Sequence, residues 1–85
     1  MQQLFIKKMK KIYLDCLGLT CPEPLTLIRS RIRHIDKGDI LEVLSDDPVS
    51  LRDIPAFCNF MGHKLKMQDN DNSYMYIITK GEKPF

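Results

Sequence analysis

The stretch Lys11-Ile12-Tyr13-Leu14-Asp15-Cys16-Leu17-Gly18-Leu19-Thr20-Cys21-Pro22-Glu23-Pro24-Leu25 passes from an extended run into a helix within a few residues, and its punctuation decides the fold. The short run over residues 11–15 predicts a strand that is finished by Gly18. Pro22 and Pro24 then mark a helix start, because a proline in the first turn gives up only an N–H that has no intrahelical partner. Leu25, Ile28, Ile32 and Ile35 recur at helical spacing and read as the buried stripe of this helix, with Leu27 turned to solvent.

The same alternation continues downstream. Gly38 closes the crossover, and Asp39 to Ser45 alternates as a second strand, with Leu41 and Val43 on one side and Glu42 on the other. Asp46-Asp47-Pro48 repeats the start signal, an acidic cap followed by proline, for a second helix. Leu51, Ile54, Phe57, Cys58 and Met61 share one of its faces, Phe60 points away, and Pro55 is expected to kink it or delay its regular part. Gly62 ends it. A third strand follows over 63–67, turn chemistry over 68–72, and a fourth strand over 74–80.

The order βαβαββ predicts an α+β two-layer sandwich: a mixed four-stranded sheet, its first three strands parallel or nearly so, with both helices on one face. In strand–helix units the carboxyl end of the strand and the amino end of the next helix share one sheet edge, where ligands usually bind. Cys21 falls on that edge.

With 85 residues, 44% hydrophobic and 28% charged, the chain is expected to form a single domain over 1–85 with a lysine-rich leader over 1–11. No apolar run exceeds the five residues Tyr74–Ile78, against about 20 for a membrane span, so no membrane association is expected. Three cysteines without an export signal predict reduced thiols and a cytoplasmic location. The formal charge of +2 divides unevenly: Lys7, Lys8, Lys10 and Lys11 precede every acid, and residues 12–85 hold nine basic and eleven acidic side chains. The leader reads as a solvated terminus, since no aromatic–basic pattern follows it.

Cys21 is the residue with chemistry to offer. As the N-cap of the first helix it would feel the positive end of the helix dipole and accept the Glu23 amide at N2, both favouring thiolate. Glu23, Asp46 and Asp47 oppose that shift, so only a modest depression of its pKa is expected. Cysteine caps poorly compared with Ser, Asp or Asn, and reactivity explains a thiol there better than stability does. His34 lies 13 residues along the same helix, about 20 Å away. His63 begins a strand on the opposite edge. Neither can serve as the base of a Cys-His pair, and both read as surface or helix-end residues. The C-x4-C spacing of Cys16 and Cys21 lacks a second pair, so no metal and no cofactor are expected. Cys16 reads as half-buried at a strand end, with the alternative of resolving an oxidised Cys21 in a thiol-disulfide or peroxide reductase. Cys58 reads as core. Leu27 and Phe60 are candidate partner contacts, with Arg29 and Arg31 as a cationic flank.

The run Asp15-Cys16-Leu17-Gly18-Leu19-Thr20-Cys21-Pro22-Glu23-Pro24 resembles the TusA/SirA sulfur-carrier family, whose signature is a reactive cysteine in Cys-Pro-x-Pro a few residues after a glycine. Ser45-Asp46-Asp47-Pro48 and Arg52 to His63 resemble the TusA branch in particular. The resemblance runs from about Leu14 to Gly81 and implies the βαβαββ sandwich. It further implies that Cys21 accepts persulfide sulfur from a cysteine desulfurase and relays it through a downstream protein toward 2-thiouridine at the tRNA wobble position. Gly18, Pro22, Glu23 and Pro24 match the frame of that cysteine. Thr20 departs from the family's frequent Arg, and Cys16 from its small non-thiol residue. On this reading the protein is a monomeric carrier more than an autonomous enzyme, and it needs no direct nucleic-acid contact. The rival readings are the reductase and a regulatory or RNA-binding module using the lysine leader and the helix arginines.

Overall fold

The computed structural model describes residues 10–20 and 22–81. The elements are β1 (Lys11–Asp15), α1 (Glu23–Ile32), β2 (Ile40–Ser45), α2 (Ser50–Met61), β3 (Lys64–Asn70) and β4 (Ser73–Thr79). They form one four-stranded sheet in the order β1-β2-β4-β3. The fold is the α+β sandwich that the order of elements predicts. β1 and β2 pair in parallel, and β4 pairs antiparallel with both β2 and β3, so β3 runs in the direction of β1 and β2 while touching neither.

Side-chain alternation sends Leu14, Leu41, Val43, Tyr76 and Ile78 to the helix-covered face, where they pack with Ile28, Ile32, Ile35, Ile54, Cys16 and Cys58. The β3 edge carries Lys64 and Lys66, charges of the kind that discourage pairing with another sheet.

Several local expectations shift. The first helix starts at Glu23 with Pro22 as its N-cap, so Pro24, Ile28 and Ile32 form the buried row. Pro24 takes the inward slot assigned above to Leu25. Leu25 is half-buried, and Leu27, expected at the surface, packs against the core. Ile35 is buried as expected but lies beyond the helix, which ends at Ile32. On α2 the buried residues are Ser50, Ile54 and Cys58, whereas Leu51 is 38% exposed. The helical turn begins early there: the Asp47 carboxylate accepts the Val49 N–H at 3.3 Å and its carbonyl accepts that of Ser50 at 3.0 Å. Pro55 sits inside the helix without ending it, since its missing N–H orphans only the carbonyl of exposed Leu51. Finally, β3 runs on to Asn70, so the hairpin turn is Asp71-Asn72 and not the whole of 68–72.

Gly62 ends α2 in the left-handed region at φ +79°, which lets the His63 N–H reach the Cys58 carbonyl at 2.8 Å. This turn carries His63 inward. Its side chain is 8% exposed, against the expectation of a surface residue, and its Nδ1 accepts the Gly81 N–H at 2.9 Å. The Phe57 ring stands 5.8 Å from the imidazole. Burial first, and Lys80 second, push the His63 pKa below its ordinary 6.5. The unfolded chain therefore takes up this proton more readily than the folded one, and stability falls as pH drops below about 6.5. Urea midpoints measured between pH 7.5 and 5.5 should decline with acid, and His63→Gln, which keeps an acceptor, should flatten that decline. A wild-type midpoint that rises toward pH 5.5 would contradict this linkage.

Candidate functional site

The loops after β1 and β2 meet at the edge where both strands end and both helices begin. The Cys16 N–H bonds the Leu44 carbonyl at 2.8 Å and extends the β1–β2 pairing by one residue. The chain then turns: the Leu19 N–H reaches the Cys16 carbonyl at 3.1 Å, with Gly18 at φ +82° in the third position, where a type II turn demands glycine. The Asp15 carboxylate accepts the Leu17 N–H at 3.0 Å and holds the turn from inside. The Gly18 N–H reaches across 28 residues to the Asp46 carboxylate at 3.1 Å and ties the two loops together. Asp46, read from the sequence as part of an acidic cap before the second helix, thus also holds the turn after β1 in place.

Cys21 itself lies outside the described residues; its neighbours Thr20 and Pro22 are both exposed. The Glu23 N–H donates to the Thr20 carbonyl at 2.9 Å, and the Thr26 amide and hydroxyl both donate to the Pro22 carbonyl at 3.0 Å. This corrects the expected capping scheme. The Glu23 amide, assigned above to the sulfur, is occupied, and Pro24 has no N–H to offer. Asp15, Glu23 and Asp46 are exposed at this same edge, carboxylates whose charge counters the positive end of the helix dipole.

The remaining site candidates divide between this edge and the helix surfaces. Pro24 is buried beneath the turn, Glu23 is exposed above it, and Arg29 and Arg31 are exposed further along α1. Leu27 joins Leu19, Glu23 and Thr26 in lining a groove of ≈ 290 Å³ beside the turn. Leu19 and Thr26 were not singled out from the sequence, where nothing marks them. Phe60 is 76% exposed near the far end of α2, about 15 Å along the axis from the first residue of that helix.

The two described cysteines are unsuited to nucleophilic work. Cys16 is fully buried, more than the half-burial expected, because its side chain continues the inward alternation of β1. Burial raises its pKa, Asp15 adds to the rise, and Arg31 opposes it. Burial pushes the Cys58 thiol up to about 11. His34 is exposed, its Nδ1 2.8 Å from the Ser30 carbonyl. Among the described residues no group of three or more His, Cys, Asp or Glu is arranged to hold a metal ion, and no helix is long and apolar enough to cross a membrane.

Two comparisons bear on this arrangement. The family model described as sulfurtransferase TusA matches residues 12–80. Among solved structures, a SirA-like protein from Desulfitobacterium hafniense is similar over 84% of this chain and 99% of its own, with 25% identity and a TM-score of 0.76.

Proposed function

This chain belongs to the sulfurtransferase TusA family, whose members carry sulfur, and from that premise we propose that it is a cytoplasmic sulfur carrier loaded on Cys21. One observation above all supports the reading. Thr20 and Pro22, which flank Cys21 in sequence, are both exposed at the opening of α1, and the turn that precedes them is braced by Asp15 and Asp46. Exposed surroundings of this kind suit transfer to a second protein's cysteine, which a deep pocket would exclude.

In loading, the Cys21 thiolate attacks the terminal sulfur of a persulfide on a cysteine desulfurase. The donor's S–S bond breaks, its thiolate leaves, and Cys21–S–SH forms with no net oxidation. The thiolate of an acceptor cysteine on a downstream relay protein then takes the terminal sulfur by the same exchange. Docking supplies proximity, with Leu27, Arg29, Arg31 and Phe60 as contact candidates; Gly18, Pro22, Glu23 and Pro24 frame the turn. The endpoint we assign is 2-thiouridine at the tRNA wobble position. Transfer needs no cofactor, no metal and no nucleic acid on the carrier, and a monomer comprising one domain with its lysine-rich leader suffices. The buried, poorly acidic Cys16 speaks against the rival dithiol reductase.

The test is to incubate the chain with a cysteine desulfurase and free cysteine and to measure its intact mass. The expected result is the gain of one sulfur atom, removed by a reductant. Loss of two protons with no added sulfur would replace the carrier reading with the reductase.

A further inference from the structure

The edge opposite the Cys21 turn collects charge of the other sign. The Gly38 N–H donates to the Lys80 carbonyl at 3.0 Å, the Lys80 N–H donates to the Asp39 carbonyl at 2.9 Å, and Lys64 stands opposite Thr79 in the β3–β4 ladder. Three segments far apart in sequence thereby bring Lys37, Lys64 and Lys80 to the wall of one open groove of ≈ 460 Å³, whose floor includes Gly38, Gly62 and Gly81. A second depression of ≈ 390 Å³ shares Lys64 and Thr79 with it and adds Lys66. Lys80 is held in place, its Nζ donating to the Ile35 carbonyl at 2.7 Å. Lys10 and Lys11 start β1 at this same edge, the Lys10 carbonyl accepting the Ile40 N–H at 2.8 Å. Of the nearby acids, Asp39 is buried, accepting the Lys10 and Asp36 N–H groups at 3.1 and 2.9 Å, Glu42 pairs with Lys11 at 3.8 Å, and Asp36 is exposed beside Lys37.

We propose that this lysine-lined edge binds the phosphate backbone of a nucleic-acid strand. The positive charge runs on past one groove into the next through Lys64 and Lys66, a track longer than a single small anion would occupy. Lysine is a point-charge phosphate partner, and among the described residues neither depression is lined by an aromatic side chain on which a base could stack. Recognition is accordingly of phosphates and independent of base sequence. The surface is separate from the Cys21 turn and does not depend on the sulfur-carrier reading.

His63 gives the proposal an internal reporter. It lies between Gly62 and Lys64, accepts its hydrogen bond from Gly81, and has a buried Nε2 with no partner among the described groups. Lys80 is one of the two causes that keep its proton off. Phosphates seated among the lysines offset that field, so binding raises the His63 pKa.

The test uses the full chain with oligouridylate, oligothymidylate of equal length, and inorganic phosphate. Anisotropy should show both oligonucleotides binding at low salt, well ahead of inorganic phosphate. Lys37→Gln and Lys64→Gln should each weaken binding and flatten the salt slope by about 0.7, and the imidazole NMR titration of His63 should move up in the complex. Arg52→Gln, removing an exposed charge at the opposite edge, should leave binding unchanged. Four outcomes would overturn the proposal: equal loss from Arg52→Gln, loss only on neutralising Lys7 and Lys8, tighter binding of polyglutamate than of either oligonucleotide, or an unmoved His63 titration.

Discussion

Cys21→Ser abolishes sulfur loading, while Cys16→Ser and Cys58→Ser still accept one sulfur atom per chain. The difference is one of kind and not of degree. A serine oxygen cannot form the S–S bond in which the carried sulfur is held, and its proton is far harder to remove than that of a thiol. Cys16 and Cys58 cannot substitute, being 0% and 1% exposed and having thiol pKa values raised by burial. Their serine variants pay in stability instead, since a buried hydroxyl without a good partner costs about 1–3 kcal/mol. Intact mass after incubation with donor and cysteine, alongside a melting curve for each variant, separates the two effects. Loading that persists in Cys21→Ser, or that vanishes in folded Cys16→Ser, would move the reactive sulfur away from residue 21 and end the reading built on it.

Ile54→Ala lowers stability by about 2–5 kcal/mol, whereas Leu51→Ala, three residues earlier on the same helix, changes it by no more than about 0.5 kcal/mol. Ile54 is fully buried between α2 and the sheet, so truncation loses both its transfer energy and the packing of the cavity left behind. Against a total of about 5–15 kcal/mol for a protein of this class, that is a large fraction. At roughly 4–8 °C per kcal/mol for a domain of this size, melting falls by about 10 °C or more. Leu51 is 38% exposed and its side chain is already wet. The pair also tests the rotational setting of α2. If Leu51→Ala proved the costlier change, the buried face would be the one inferred from periodicity, with Leu51 and not Ser50 as its first member.

That rotational setting shows where sequence reading reaches its limit. Both helices are legible from spacing, yet each stripe is misassigned at its first member. On α1 the proline reads as punctuation, although Pro24 is also an apolar body that fills the first inward slot. On α2 the small, polar Ser50 holds that slot, its hydroxyl 3.2 Å from that of Ser45. A pattern search for large apolar residues passes over both. At the site, Gly18 and the proline frame are visible as motifs, whereas the 28-residue bond from Gly18 to Asp46 and the engagement of the Glu23 amide by Thr20 depend on where loops settle.

From local chemistry alone come the six elements, their order, the parallel sense of the first strands and a cysteine at a strand-to-helix turn, because proline, glycine and side-chain period act on the residues beside them. Only the tertiary structure decides that β4 lies between β2 and β3, that His63 and Cys16 are buried, and that Lys37, Lys64 and Lys80 line one groove. Those outcomes follow from strand register and from which faces find cover, and both are settled between segments 16 to 45 residues apart in sequence.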